Sequence, residues 1–173
     1  MTRLSLGRWY SLGDRLGVTL DEACYHEILA RYAESWRAYH NVLHIEDCLD
    51  QLDCSLQNSA RPEEVEFALW LHDAIYDTQR TDNEQRSARY AERILREAGC
   101  SADVIHRVGG NIAATAHVAI TDGVDEQLTA DIDLSIFGRS TQEFERYEAS
   151  IRTEYEWVDR PIYCRKRIEV LRT

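Results

Sequence analysis

The chain has 173 residues, of which 44% are hydrophobic, and this is enough for one domain with a substantial buried core. Its formal net charge is −11, from 20 basic and 31 acidic residues, which argues against binding of a nucleic acid polymer because phosphate backbones are bound by Lys and Arg. A small phosphorylated substrate is still compatible with this charge if a bound cation supplies positive charge locally.

Cysteine usage and apolar runs predict the compartment. The five cysteines are odd in number and include no C-x-x-C pair, a pattern typical of reduced thiols. The N-terminal stretch lacks the continuous apolar run of a signal peptide, and no segment approaches the length of a membrane span. We therefore expect a soluble cytoplasmic protein with no membrane partner.

Helical periodicity dominates the chain, and no strand-like alternation is found between turn residues. In chain order, we expect helices over residues 20–36, 40–52, 62–77, 81–99 and 101–119, an acidic loop over 121–127, the segment 128–138, a long helix over about 141–158 and a last helix after Pro161. Pro62 and Ser101 are good helix starts, and Gly99 is a good helix end. The sequence predicts an all-α fold of about seven helices in a single domain over residues 1–173.

Histidine and aspartate side chains interrupt the apolar faces of these helices. His40 and His44 in "YHNVLH" are four residues apart, which predicts that they share one face of a helix. His72 and Asp73 are adjacent in the apolar run "FALWLHDAIYD", where an unpaired carboxylate would cost several kcal/mol. Imidazole nitrogen and carboxylate oxygen together form the ligand set preferred by Zn, Fe, Mn, Ni and Co. A cation would remove the burial cost.

Three further residues are candidates in the second half of the chain. His117 ends the apolar stretch "NIAATAH", and Asp131 and Asp133 alternate with apolar residues in "ADIDL". Each has an ordinary structural alternative. His117 can be a hydrogen-bonded core histidine, and the two aspartates can be a helix N-cap and its neighbour.

The order of these motifs resembles the HD-domain superfamily of metal-dependent phosphohydrolases. More closely, the run "YHNVLH…ALWLHDAIYD…DNEQRSA…DIDLSIFG…IRTEY" looks like a bacterial family of predicted HD-superfamily metal-dependent phosphohydrolases, over about residues 32–171. The resemblance implies an HD-domain helical bundle with a divalent metal ion (Mn, Fe, Co, Ni, Zn or Mg). It also implies that His44, His72, Asp73 and one later aspartate are the metal ligands.

Similarity to cyclic-nucleotide phosphodiesterases bears on the remaining roles. The segment "DLS" before a long helix ending "IRTEY" favours Asp133 as the last ligand, while the "AD" pattern of other HD proteins keeps Asp131 as the alternate. The stretch "YHNVLHIED" implies that His40 is the general acid, a role for which His117 is an alternative. Asp77 stands near where those enzymes carry a further histidine, so it either positions water or a second ion, or caps a turn. Their purine clamp cannot be located here, and a cyclic nucleotide is not expected.

The resemblance implies hydrolysis of a phosphomonoester or nucleotide-type substrate by a metal-activated water. The partner would be a small phosphorylated molecule such as a nucleotide, and the sequence leaves open whether the chain forms a homodimer. Four basic residues near the C-terminus either bind phosphate or form a solvated helix face: Arg152, Arg165, Lys166 and Arg167. Two other functions stay open. One is an HD-type di-iron oxygenase, for which His106 and His117 could supply extra ligands, and the other is a non-catalytic metal- or nucleotide-binding module.

Overall fold

The computed structural model describes residues 3–172, and this range contains nine α-helices, two short 3₁₀ segments and no strand. The helices are α1 (Leu6–Leu16), α2 (Glu22–Tyr32), α3 (Val42–Ser55), α4 (Pro62–Leu71), α5 (Asn83–Glu97), α6 (Ala102–Ala114), α7 (Val124–Asp133), α8 (Thr141–Glu154) and α9 (Arg160–Val170). The all-α class is confirmed, and the predicted number of about seven helices was too low. None of the described helices combines the length and the apolar character needed to cross a bilayer.

Helix α4 forms the centre of the molecule. All its residues from Glu64 to Leu71 are buried, and α1, α3, α5, α6 and α7 pack around it. Pro62 occupies the first turn of α4, as predicted, where its missing N–H costs no hydrogen bond. The helix ends at Leu71, several residues earlier than predicted, so that His72 and Asp73 lie in the turn that follows it. The central core element therefore delivers this pair to its own C-terminal end.

Helix α1 was not predicted from the sequence. Its apolar residues recur every three or four positions, and Trp9 and Leu12 are buried. The Trp9 ring stacks on Phe67 at a centroid distance of 5.8 Å and contacts Trp70 edge-on at 5.4 Å. These aromatic contacts fix α1 against α4, so tertiary packing stabilises a helix of weak intrinsic propensity.

Cap geometry explains which boundaries were predicted correctly. The Ser101 hydroxyl accepts from the Val104 N–H, and Gly99 adopts a left-handed φ of 89° just after α5, both as expected. The predicted placement of His40 on a helix with His44 was wrong. Asn41 caps α3 by accepting from the Leu43 N–H, so His40 lies in the preceding turn. The predicted loop over 121–127 was also too long, because α7 begins at Val124.

A buried carboxylate joins α1 to the core. Glu66 of α4 is only 3% exposed, and its two oxygens accept from Arg8 Nε at 2.7 Å and from Arg15 Nη2 at 2.6 Å. Arg8 also donates through both terminal nitrogens to Asp53 of α3, each at 2.9 Å. Because Glu66 is buried, its charge depends on these two guanidinium groups for compensation.

Replacing Glu66 with alanine should destabilise the protein by about 2–4 kcal/mol, because it removes the buried carboxylate that pairs with both Arg8 and Arg15 and leaves Arg8 with Asp53 alone. Urea unfolding followed by circular dichroism measures this change. Glu97→Ala is the matched control, since Glu97 is 60% exposed in its pair with Arg93 and should contribute less than about 0.5 kcal/mol. Equal losses in the two variants would contradict the structural role of Glu66.

Candidate metal centre

Four side chains from three elements converge on one point. His44 lies in the first turn of α3, His72 and Asp73 follow α4, and Asp133 is the last residue of α7. His44 Nε2 lies 3.1 Å from His72 Nε2, 3.2 Å from Asp133 Oδ1 and 3.6 Å from Asp73 Oδ2. His72 Nε2 lies 3.1 Å from Asp73 Oδ2 and 3.5 Å from Asp133 Oδ1. Ligand atoms held about 2.1 Å from a common ion are spaced by about 3.0–3.4 Å. Three of these five separations lie in that range, and the other two, 3.5 and 3.6 Å, lie just above it, so the group is close to the spacing of a coordination shell.

The hydrogen bonding of His72 fixes which ring nitrogen faces the cluster. His72 Nδ1 lies 2.9 Å from the carbonyl oxygen of Leu69, which can only accept, so Nδ1 carries the hydrogen. In the neutral imidazole, Nε2 then presents its lone pair to the cluster, as a metal-ligating histidine requires. The two imidazoles are almost completely buried, whereas the side chains of Asp73 and Asp133 are 11% and 16% exposed. The site therefore opens on its carboxylate side.

Charge balance within the cluster depends on the two imidazoles and two carboxylates together. Burial alone would lower the pKa of His72, but the neighbouring Asp73 and Asp133 carboxylates raise it well above its ordinary value. Burial opposes ionisation of Asp133, yet its contacts with His117, His44 and His72 hold the pKa of this carboxyl well below its usual range. The carboxylates thus stay charged and require a positive partner, which an imidazolium or a metal ion can supply.

A cysteine that the sequence did not predict also lies at the cluster. His44, Cys48, His72 and Asp133 form a group whose ligand atoms lie within 4.8 Å of one another, and this group could hold a metal ion. Cys48 is buried one turn after His44, and its sulfur lies 3.9 Å from Nδ1 and 3.8 Å from Nε2 of that histidine. These near-equal distances place the sulfur against the ring rather than along the Nε2 lone pair. The spacing of four residues in "HIEDC" is the only local signal for this contact.

A buried arginine holds the turn that carries His72 and Asp73. Arg37 is 5% exposed, and its guanidinium donates to the carbonyl oxygens of Asp73 at 2.7 Å, His40 at 3.1 Å and Ala74 at 3.2 Å. The Tyr32 hydroxyl accepts from the Asp73 N–H at 3.1 Å. The segment before α3 and the turn after α4 are thereby fixed to each other. Sequence reasoning missed Arg37, because an arginine in the segment "SWRAYH" carries no pattern specific to this role.

Glu154, the last residue of α8, holds His40 in place. Its side chain is fully buried, and Oε2 lies 2.6 Å from His40 Nδ1. Its other oxygen accepts from the backbone N–H groups of Tyr39 at 2.7 Å and His40 at 3.0 Å, and the Tyr76 hydroxyl donates to Oε2 at 3.1 Å. Burial opposes the charge on His40, but the Asp73 and Glu154 carboxylates raise its pKa above the ordinary value. The His40 ring centroid lies 5.8 Å from that of His44, so an imidazole whose protonated form is favoured by its neighbours stands beside the cluster.

His117 contacts the cluster from the loop after α6. Its Nε2 lies 2.9 Å from Asp133 Oδ2, whereas the other oxygen of Asp133 faces His44 and His72. The backbone at His117 has a φ of 52°, in the left-handed region that costs a non-glycine residue about 1 kcal/mol or more. This strained position allows the ring to hold the Asp133 carboxylate from its outer side.

The other candidates lie away from the cluster. Asp131 is exposed on α7, and His106 is exposed on α6. Asp77 forms a turn, in which its Oδ1 accepts from the Gln79 N–H at 2.9 Å and its backbone pairs with the Asn83 side chain. These are turn-capping contacts, which is one of the roles predicted for Asp77, and its role toward water or a second ion stays a prediction.

The C-terminal basic residues are occupied or exposed. Arg152 donates to the carbonyl oxygens of Tyr155 and Val158 after α8, and Arg167 donates to the Glu148 carboxylate. Lys166 pairs with Glu169, and Arg165 is exposed on α9. Arg165 and Lys166 thus lie on an exposed helix face, whereas Arg152 and Arg167 are engaged by groups of the chain itself.

Comparison of the chain with family models, with curated proteins and with solved structures found no match. The chemistry of the centre therefore has to be inferred from its own geometry.

The His40–Glu154 pair predicts a pH-dependent contribution to stability in metal-free protein. His40 has a raised pKa, so its stabilisation is complete below its ordinary value of 6.5 and is lost as the pH rises through the raised value. Glu154 has a lowered pKa, so its stabilisation is present above its ordinary value of 4.5 and is lost at lower pH. The stability difference between wild type and His40→Ala should therefore be largest between those two values and shrink at alkaline pH.

Urea unfolding at several pH values, with a chelator present, measures this difference. His26→Ala is the control, because His26 is 65% exposed beside Glu22 and its removal should give a small, nearly constant difference. A His40→Ala difference that does not vary with pH would show that the pair is not ionised.

Proposed function

We propose that this chain is a metal-dependent phosphohydrolase of the HD-domain type, which hydrolyses a phosphomonoester or nucleotide-type substrate. The observation that carries the proposal is the convergence of His44, His72, Asp73 and Asp133 at close to the spacing of a coordination shell. The order of these residues along the chain is the order that resembles the HD superfamily. The adjacent His40 adds a proton donor, which phosphate-ester hydrolysis needs for its leaving group.

The donor set fits a divalent ion of the Mn, Fe, Co, Ni or Zn group, because it combines two imidazole nitrogens with carboxylate oxygens. Such an ion, when bound, supplies a Lewis acid for a phosphoryl oxygen and lowers the pKa of bound water. It also offsets the two buried carboxylate charges. The exposed carboxylate side of the cluster is the side from which a substrate would approach.

His40 would protonate the leaving oxygen. The Glu154 carboxylate accepts from Nδ1, which leaves the hydrogen on Nε2 as the one that can be transferred. The raised pKa of His40 favours the protonated imidazole that a general acid needs. Proton donation of this kind contributes about 10²–10⁴-fold in rate. His117, Arg37 and Tyr32 would act by positioning, since they hold the Asp133 carboxylate and the turn at Asp73.

Substitution of the proposed ligands should abolish metal binding and turnover together. We expect His72→Ala and Asp133→Asn to lose stoichiometric metal and at least about 100-fold in activity, because each removes a donor from the cluster. The measurements are metal analysis of protein purified without chelator and a phosphatase and nucleotidase panel with Mn, Co, Ni and Mg.

His106→Ala and Asp131→Asn are the matched controls, since each removes an exposed residue of the same type. Both should retain metal and activity. Loss of activity in Asp131→Asn but not in Asp133→Asn would contradict the proposed ligand set. A di-iron optical signature without phosphate release would indicate an oxygenase, and bound metal without turnover of any kind would indicate a binding module.

Glu154→Gln should retain metal but lower kcat by about 10–100-fold, because the amide cannot hold His40 as an imidazolium. The loss of the carboxylate lowers the pKa of His40, so the alkaline limb of the kcat profile should shift to lower pH. A kcat–pH series of wild type and variant measures both effects. Glu145→Gln, an exposed change on the same helix, should behave as wild type. An unshifted alkaline limb in Glu154→Gln would exclude His40 as the acid.

A further inference from the structure

A cavity of about 610 Å³ lies at the junction of the loops that follow α2, α4 and α8. Its lining includes Tyr76 and Glu154, which both contact His40, so the cavity adjoins the candidate metal centre. Neither the proton donor nor the cluster explains why this volume is present, because the metal-ligand side chains do not line it.

Two exposed tryptophans form part of the cavity wall. Trp36 is 43% exposed and Trp157 is 54% exposed, whereas Trp9 and Trp70 are completely buried in the core. Both wall residues are held in place. Trp157 Nε1 donates to Thr78 Oγ1 at 2.9 Å, and the Trp36 ring stacks on Tyr76 with an interplanar angle of 9°. Fixed, exposed aromatic faces in a concave site are typical of ligand contact, because their exposure to water is unfavourable without it.

The charge of the cavity wall favours a cation. Asp77 and Glu156 contribute carboxylates, whereas the Glu154 carboxylate is buried against His40, and no Lys, Arg or His is found among the described lining residues. Glu154 is committed to His40, whereas Glu156 is exposed. Carboxylates combined with indole faces attract amines and quaternary ammonium groups through Coulomb and cation–π interactions.

Two neighbouring features agree with this selectivity. The buried Arg37 lies 5.2 Å from the Trp36 ring centroid, but Glu34 neutralises its charge at 2.9 Å, so this guanidinium adds little net positive charge beside the cavity. The described lining also contains no Asn or Gln, the amide side chains that would read the edge of a nucleobase.

We propose that this cavity, called here the tryptophan cleft, binds an organic cation with a quaternary ammonium group against Trp36 and Trp157. Binding of the cation does not depend on the metal centre. Resting on the proposed function, the cation would be the alcohol portion of the phosphate ester, held in the cleft while its phosphate reaches the metal centre beside His40.

The test is a ligand-observed NMR titration of the full chain with choline and with dimethylbutanol, its uncharged carbon isostere, in the presence of a chelator. We expect saturable choline binding that is at least about tenfold tighter than binding of the isostere, since the cation–π and Coulomb terms are lost without the charge. Trp36→Leu and Trp157→Leu should weaken choline binding by about fivefold or more, and Glu156→Gln by a smaller factor that falls with added salt.

Tyr10→Leu is the control, because Tyr10 is 43% exposed but lies outside the cleft. Thermal melts establish that the variants are folded, and Glu156→Gln tests the charge without removing a ring. Equal binding of choline and isostere, no effect of Trp157→Leu, or tighter binding of adenosine than of choline would each overturn the proposal. Choline binding without any phosphohydrolase activity would refute only the proposed function, and activity without choline binding would refute only the cleft.

Discussion

This fold is arranged around one constraint. Two carboxylates and two imidazoles are directed at a single, nearly buried point. Such a group is unfavourable unless a positive charge occupies its centre or a proton is shared among its members. The apolar core supplies neither, so the compensation has to come from polar groups at the site, including His117 and His40. Each of the three elements that carry a ligand is fixed by contacts outside the cluster, and the donor atoms are therefore already close together before any ion is considered.

The charges near this point differ from what the net charge of the chain would suggest. The chain carries a net charge of −11, which by itself repels phosphate. Positive charge is concentrated on the imidazoles and on Arg37, which is directed at backbone carbonyls rather than at solvent. An anionic substrate would thus be attracted only at the centre, while the neighbouring cleft, with its carboxylates, favours the opposite charge. A centre that attracts negative charge, next to a cleft that attracts positive charge, would suit a zwitterionic molecule better than a simple anion.

Local signals were sufficient for the helical class and for several boundaries, because caps such as Ser101 and Gly99 act within a few residues. The four proposed ligands were found only as an ordered motif, since no pair among them is specific alone. Glu154 and Arg37 could not be found in this way, because their partners are remote in sequence and their roles follow from packing. His40 was misplaced for a local reason, since the Asn41 cap competes with continuation of the helix.

The contacts of Glu154 also have a consequence for how the protein matures. This residue bonds to positions 114 and 115 residues earlier in the chain, whereas the four ligands all lie before it, with Asp133 the last of them. During vectorial synthesis the ligands leave the ribosome first, and the group that orders His40 follows about twenty residues later. A nascent chain can therefore assemble its ion-binding half before the His40 imidazole is fixed. His40, the proposed proton donor, would then be ordered in a final, long-range step of folding.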